Sequence, residues 1–65
     1  MIVIVNGQRV EVDDATTVAS LLDRLGFPDK GVAVALDWAV IPRAAWGTTL
    51  SDGARLEVVT AVQGG

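Results

Sequence analysis

Only one stretch of this chain carries the apolar spacing of a helix, and every other patterned stretch carries that of a strand. Val18, Leu21, Leu22 and Leu25 recur at offsets of three and four, which places all four on one helical face. Thr17 suits the N-cap, Gly26 suits the left-handed position after a helix, Phe27 can fold back on the last turn, and Pro28 blocks continuation. The spacing predicts a helix of about two turns, beginning near Thr17 and ending near Gly26, with its four apolar side chains buried. So short a helix cannot stand alone, and its stripe must be covered by a sheet.

The strands of that sheet are legible on either side. Residues 1–5 are β-branched and apolar apart from Met1, and Asn6-Gly7 are two residues that accept positive φ. The next five residues, Gln8-Arg-Val-Glu-Val12, alternate with period two. This is a hairpin with a two-residue turn of type I′, with Val10 and Val12 facing the core and Arg9 and Glu11 facing water. After Lys30, Gly31-Val-Ala-Val-Ala-Leu36 alternates large and small apolar side chains as a strand, and Asp37-Trp38 turns the chain into a short strand over 39–41 that Pro42 ends. Residues 43–50 have no clear period, with room for one helical turn at 43–46. Ser51-Asp52-Gly53 is a turn, and Arg55-Leu-Glu-Val-Val-Thr60 is the last strand, with Leu56 and Val58 inward. The order is α+β: a mixed sheet of four to five strands crossed by one principal helix, its first and last long strands paired at the centre by a right-handed crossover. That is the β-grasp arrangement.

Size and charge narrow the function. A chain of 65 residues has room for one core, and with 51% apolar residues it can fill it. Residues 1–65 are therefore expected to form one domain. The longest unbroken apolar runs are five residues, 1–5 and 32–36, against the roughly 20 of a membrane span. No signal segment is apparent, since the first run stops at a turn, and the expected location is cytoplasmic. The net charge is −3 and the five basic residues are scattered, which argues against nucleic acid as a partner. With no Cys and no His, the chain lacks a thiolate nucleophile, the usual general base and the commonest metal ligand.

No internal constellation carries catalysis. Ser20 and Ser51 have no His to activate them, Asp13 with Asp14 and Asp52 with Gly53 read as turn chemistry, and Asp23 and Asp29 lack a third carboxylate at metal-ligand spacing. What remains is the end of the sequence. Beyond Thr60 come Ala61, Val62, Gln63, Gly64 and Gly65, expected to form a flexible tail over 61–65. Two glycines at the tip make it narrow enough to enter a tight cleft, with no side chain beside the last carboxyl.

A β-grasp chain ending in Gly64-Gly65 resembles the ubiquitin-like proteins. Within them the whole chain is similar to the ThiS family, the sulfur carriers of thiamine thiazole biosynthesis. The resemblance rests on Met1-Ile-Val-Ile-Val-Asn-Gly7, Thr17-Val-Ala-Ser-Leu-Leu22, Val32-Ala-Val-Ala-Leu36, Val40-Ile-Pro-Arg-Ala-Ala-Trp46, and the run from Asp52 through Val58-Val-Thr-Ala-Val-Gln-Gly-Gly65. Its most specific parts are Pro42-Arg43 with Trp46 and the approach to the diglycine. The resemblance implies a protein cosubstrate rather than an enzyme. The Gly65 carboxyl would be adenylated by a ubiquitin-activating-like adenylyltransferase, which itself binds the ATP and magnesium. A sulfur donor such as a cysteine desulfurase relay would convert it to a thiocarboxylate, and thiazole synthase would receive the sulfur. Gly64, Gln63 and Val62 would thread the partners' active sites.

Recognition then falls to the folded body. Val59 shares strand parity with Arg55 and Glu57, so it should face outward beside the tail and, with Ala61, form a docking surface. Arg43 and Trp46 fit either a surface recognition pair or packing of the indole against the sheet edge, and Trp38 has no assigned role. Three alternatives stay open at this point: the small subunit of molybdopterin synthase, a ubiquitin-like protein modifier, and an interaction module with an incidental tail.

Overall fold

Asn6 and Gly7 adopt φ of 50° and 82° in the computed structural model, which describes residues 1–60. They close the hairpin of β1 (Ile2–Val5) and β2 (Gln8–Glu11), with Val5 opposite Gln8. A second hairpin of the same kind joins β3 (Val32–Leu36) to β4 (Ala39–Ile41), with Leu36 opposite Ala39. Its turn residues Asp37 and Trp38 have φ of 49° and 73°. Left-handed geometry is rare for so bulky a residue as tryptophan, and here the Arg55 guanidinium lies over one face of the ring, 5.0 Å from its centroid, while the residue stays largely exposed.

β5 (Arg55–Thr60) lies between the two hairpins, giving the five-stranded order β2-β1-β5-β3-β4. It runs parallel to β1, pairing Leu56 with Val5, and antiparallel to β3, from Leu36 opposite Leu56 to Val32 opposite Thr60. This is the mixed β-grasp sheet expected from the strand order, with the last strand at its centre.

The helix α1 (Val18–Arg24) crosses one face. Val18, Leu21 and Leu22 enter a core built with Val3, Val5, Val12, Val34, Leu56 and Val58 from the sheet side and Trp46, Leu50 and Ala54 from the connecting chain. Its start is satisfied from two directions. Thr17 and Ser20 form a capping box, and the first two helical N–H groups donate outside the helix, Val18 to the Thr48 carbonyl at 3.2 Å and Ala19 to the Trp46 carbonyl at 2.9 Å. At the other end Gly26 takes φ of 84°, with Phe27 N–H donating to the Leu22 carbonyl and Gly26 N–H to that of Asp23. That pair of bonds is the Schellman arrangement that Gly26 and Phe27 foretell.

Residues 43–50, irregular in sequence, earn their place by these contacts. A 3-10 turn (Arg43–Ala45) lowers Trp46 into the core, where it is only 8% exposed, and Leu50 N–H donates to the Thr16 carbonyl at 2.9 Å. Packing of the indole is therefore its role. Arg43 remains outside with its guanidinium 5.0 Å from the Trp46 ring centroid, and donates to the Asp29 carbonyl.

Leu25 departs from expectation. It is the C-cap and is 40% exposed, not buried with the other three. At this end the helical stripe meets the tip of the first hairpin rather than the sheet centre, and Leu25 is left partly uncovered. Leu25 instead borders a groove with Val5, Asn6, Gln8, Val10 and Phe27. Truncation should separate the two leucines: in urea denaturation Leu21→Ala is expected to cost about 2–5 kcal/mol, and Leu25→Ala about 1 kcal/mol or less.

Candidate functional site

Strand alternation divides β5 between two environments. Leu56 and Val58 point into the core, while Arg55, Glu57 and Val59 point to the sheet face that the helix leaves open. Val59 is 65% exposed, as its parity requires. The register places Ala33 opposite Val59, Ala35 opposite Glu57, and Val40 opposite Ala35. Val40 is 78% exposed. Because alanines stand between them, the branched side chains of Val59 and Val40 rise above their surroundings, and Trp38, 71% exposed, continues the patch at the turn beside Arg55. These exposed apolar side chains share the open face with the charged Arg55 and Glu57, and they are the candidates for a contact surface among the described residues.

Val59 was accessible to sequence reasoning from the period of β5 alone. Val40, Trp38 and the two alanines were missed as companions. The signal was present in the alternation of 32–36, and it needed only the register across β3 to bring those residues to the same face. Ala61, Val62, Gln63, Gly64 and Gly65 lie outside the described residues.

Four of the polar side chains, Asp13, Asp52, Ser20 and Asp37, have structural partners. Asp13 accepts from the N–H of Ala15 at 2.9 Å and from the Thr16 hydroxyl at 3.1 Å, so it shapes the turn before the helix. Asp52 accepts from Ile2 N–H at 2.8 Å and ties the 51–53 turn to the start of β1. Ser20 is held in the capping box. Asp37 accepts from Arg55 N–H at 3.0 Å while its own N–H donates to the Arg55 carbonyl at 2.8 Å. Among the described residues no three of His, Cys, Asp and Glu come together as a metal site, and no helix is long and apolar enough to cross a membrane. The groove bordered by Leu25 and Phe27 is lined by apolar and amide side chains without a titratable group.

Comparison with known proteins adds what the described residues cannot. A sequence model described as the ThiS family matches residues 3–65. The crystal structure of a thiamine biosynthesis protein (ThiS) from Geobacter metallireducens superposes with a TM-score of 0.80 at 32% identity, with each chain covered in full. A curated thiazole synthase from Paramagnetospirillum magneticum (strain ATCC 700264 / AMB-1) is 30% identical over 66 residues. That alignment takes in 100% of this chain but 20% of the relative, so this chain spans about a fifth of that protein's length. With the family match extending over nearly the whole sequence and the same five-stranded fold in a solved relative, this chain belongs to the ThiS family.

Proposed function

We propose that this protein is a sulfur carrier for the thiazole branch of thiamine biosynthesis, with residues 1–65 acting as one domain and the carboxyl of Gly65 as the working group. The observation that carries this reading is the ThiS family match, which runs through Gly64 and Gly65. A carboxylate is a poor electrophile, so an ATP-derived adenylate must first supply a leaving group: the Gly65 oxygen attacks the α-phosphorus, and pyrophosphate departs. A persulfide on a sulfur donor, such as a cysteine desulfurase relay, then attacks the acyl carbon and AMP leaves, giving an acyl disulfide. A thiol of the partner proteins attacks the donor-side sulfur of that disulfide, forming a new disulfide between donor and thiol and releasing the Gly65 thiocarboxylate. The chain contains no His or Cys to drive these steps, so ATP and magnesium belong to a ubiquitin-activating-like adenylyltransferase. Gly64, Gln63 and Val62 are the residues that thread its cleft.

Thiazole synthase is the acceptor. Support comes from the curated relative of that name, in which the segment similar to this chain is part of a longer polypeptide. Both partners need a surface on the folded body, and Val59, with Ala61 beyond it, lies at the end of the exposed apolar face nearest the tail in sequence.

Three outcomes test the reading. Intact mass of the chain isolated from its own cells should include a form in which one oxygen of Gly65 is replaced by sulfur, and a branched isopeptide to another protein in its place would establish a modifier. Deleting Gly65 should abolish ATP–pyrophosphate exchange with the activating enzyme, and Gly64→Ala should lower it by about tenfold, since the methyl widens the tail and narrows its dihedrals. Equal exchange by the wild type and the deletion would refute the assignment. Val59→Asp should weaken binding to the activating enzyme by about tenfold or more while changing the unfolding free energy by about 1 kcal/mol or less.

A further inference from the structure

β5 is a six-residue strand with unequal flanks. From Leu56 to Thr60 β3 pairs with one edge. On the other edge β1 reaches only as far as Leu56, because at Asn6 the chain turns into the first hairpin. The ladder from β1 ends with Ile4 N–H donating to the Ala54 carbonyl at 2.8 Å and Asn6 N–H donating to the Leu56 carbonyl at 2.9 Å. The next backbone groups turned to that edge belong to Val58 and then Thr60, by the two-residue alternation of a strand. No residue of β1 remains to meet them.

The Asn6 side chain meets the first pair. Val58 N–H donates to Asn6 Oδ1 at 2.7 Å, and Asn6 Nδ2 donates to the Val58 carbonyl at 3.1 Å. The carboxamide thus presents one acceptor and one donor, as the next peptide group of β1 would, and carries the ladder one step past the strand's end. Three demands converge on this position: a φ of 50°, an acceptor and a donor. Glycine meets only the first, aspartate meets the first two, and asparagine meets all three.

Resting on the carrier reading above, we infer that Asn6 is a positioning residue for the reacting end: it closes the open edge of β5 at Val58 and thereby holds the strand end, Val58 to Thr60, from which the sequence continues to Gly65. Val59, the proposed docking residue, lies between Val58 and Thr60. The clamp therefore couples the docking face to the start of the tail. Loss of the carboxamide should leave the face able to bind, since β3 still pairs with Val59, while loosening the strand end that anchors the delivered carboxyl. This places the defect in turnover rather than in capture.

The test uses the full-length chain with Asn6→Gly, Asn6→Asp and Gly7→Ala, followed by amide hydrogen exchange and by adenylation kinetics with the activating enzyme. Asn6→Gly keeps the turn geometry and removes the clamp. Val58 exchange should quicken by about tenfold, and kcat should fall by about tenfold with KM changed by about twofold or less. Asn6→Asp keeps the acceptor, so Val58 should stay protected and kcat should fall by a smaller factor. Gly7→Ala strains the same turn, whose φ at residue 7 is 82°, but retains the carboxamide. It should lower thermal stability with kcat within about twofold of wild type. Unchanged Val58 exchange in Asn6→Gly, a loss confined to KM, or an equal loss of kcat in Gly7→Ala would overturn the inference. A wild-type chain that the activating enzyme does not adenylate would count against the carrier reading, and Val58 exchange would then decide the role of Asn6 alone.

Discussion

The backbone hydrogen bonds of β5 hold the rest of the molecule in register. Leu56 is fully buried, with β1 on one side and β3 on the other, so this strand joins two hairpins that have no direct pairing with each other. Its edges are completed at both ends by side chains from the two type I′ turns. Asp37 takes the Arg55 N–H, and Asn6 takes both groups of Val58. Both residues sit at the first left-handed position of their turns, where a short polar side chain tolerates the geometry and can reach the backbone of a neighbouring strand. The turn chemistry that makes each hairpin also docks it against the centre.

The helix depends on the same frame. Seven residues are too few to be stable in isolation, and most of the free N–H groups at its start are taken by the 46–50 segment and the capping box. Trp46 supplies the bulk that keeps that segment down. A chain with only 65 residues fills its core partly from irregular connecting chain, because one helix and one sheet face do not enclose enough apolar surface by themselves.

Local rules carried much of this in the sequence. Asn6-Gly7 stated the first turn, Gly26-Phe27-Pro28 stated the helix end, the periods of 8–12 and 55–60 stated which side chains face inward, and the alternation of 32–36 stated a strand. Leu25 was misplaced because helical periodicity says which face a residue shares, not how far the opposing sheet extends. In 43–50 the single turn and the packing of the Trp46 indole were legible, but the path of the rest was not, because its determinants are long-range: carbonyls seeking the orphan N–H groups of a helix more than twenty residues earlier in the chain. At the candidate site, Val59 followed from parity within one strand, whereas Val40 and Trp38 required the pairing of three. The role of Asn6 was hidden for a further reason, since its value as a turn residue already accounted for its presence.

The parallel pairing of β1 with β5 also has a kinetic consequence. Val5 and Leu56 are neighbours in the sheet though about fifty residues separate them in the chain, and closing so long a loop is entropically unfavourable until the intervening elements have collapsed. The first hairpin, the helix and the second hairpin can each begin to form from local contacts, but the strand that leads to residues 61–65 is inserted between them and cannot be seated in their absence. A chain interrupted during synthesis, or one whose core has opened, therefore lacks the assembled face and the anchored strand end together. Completion of the sheet and seating of the strand that carries Val59 are therefore a single event rather than two.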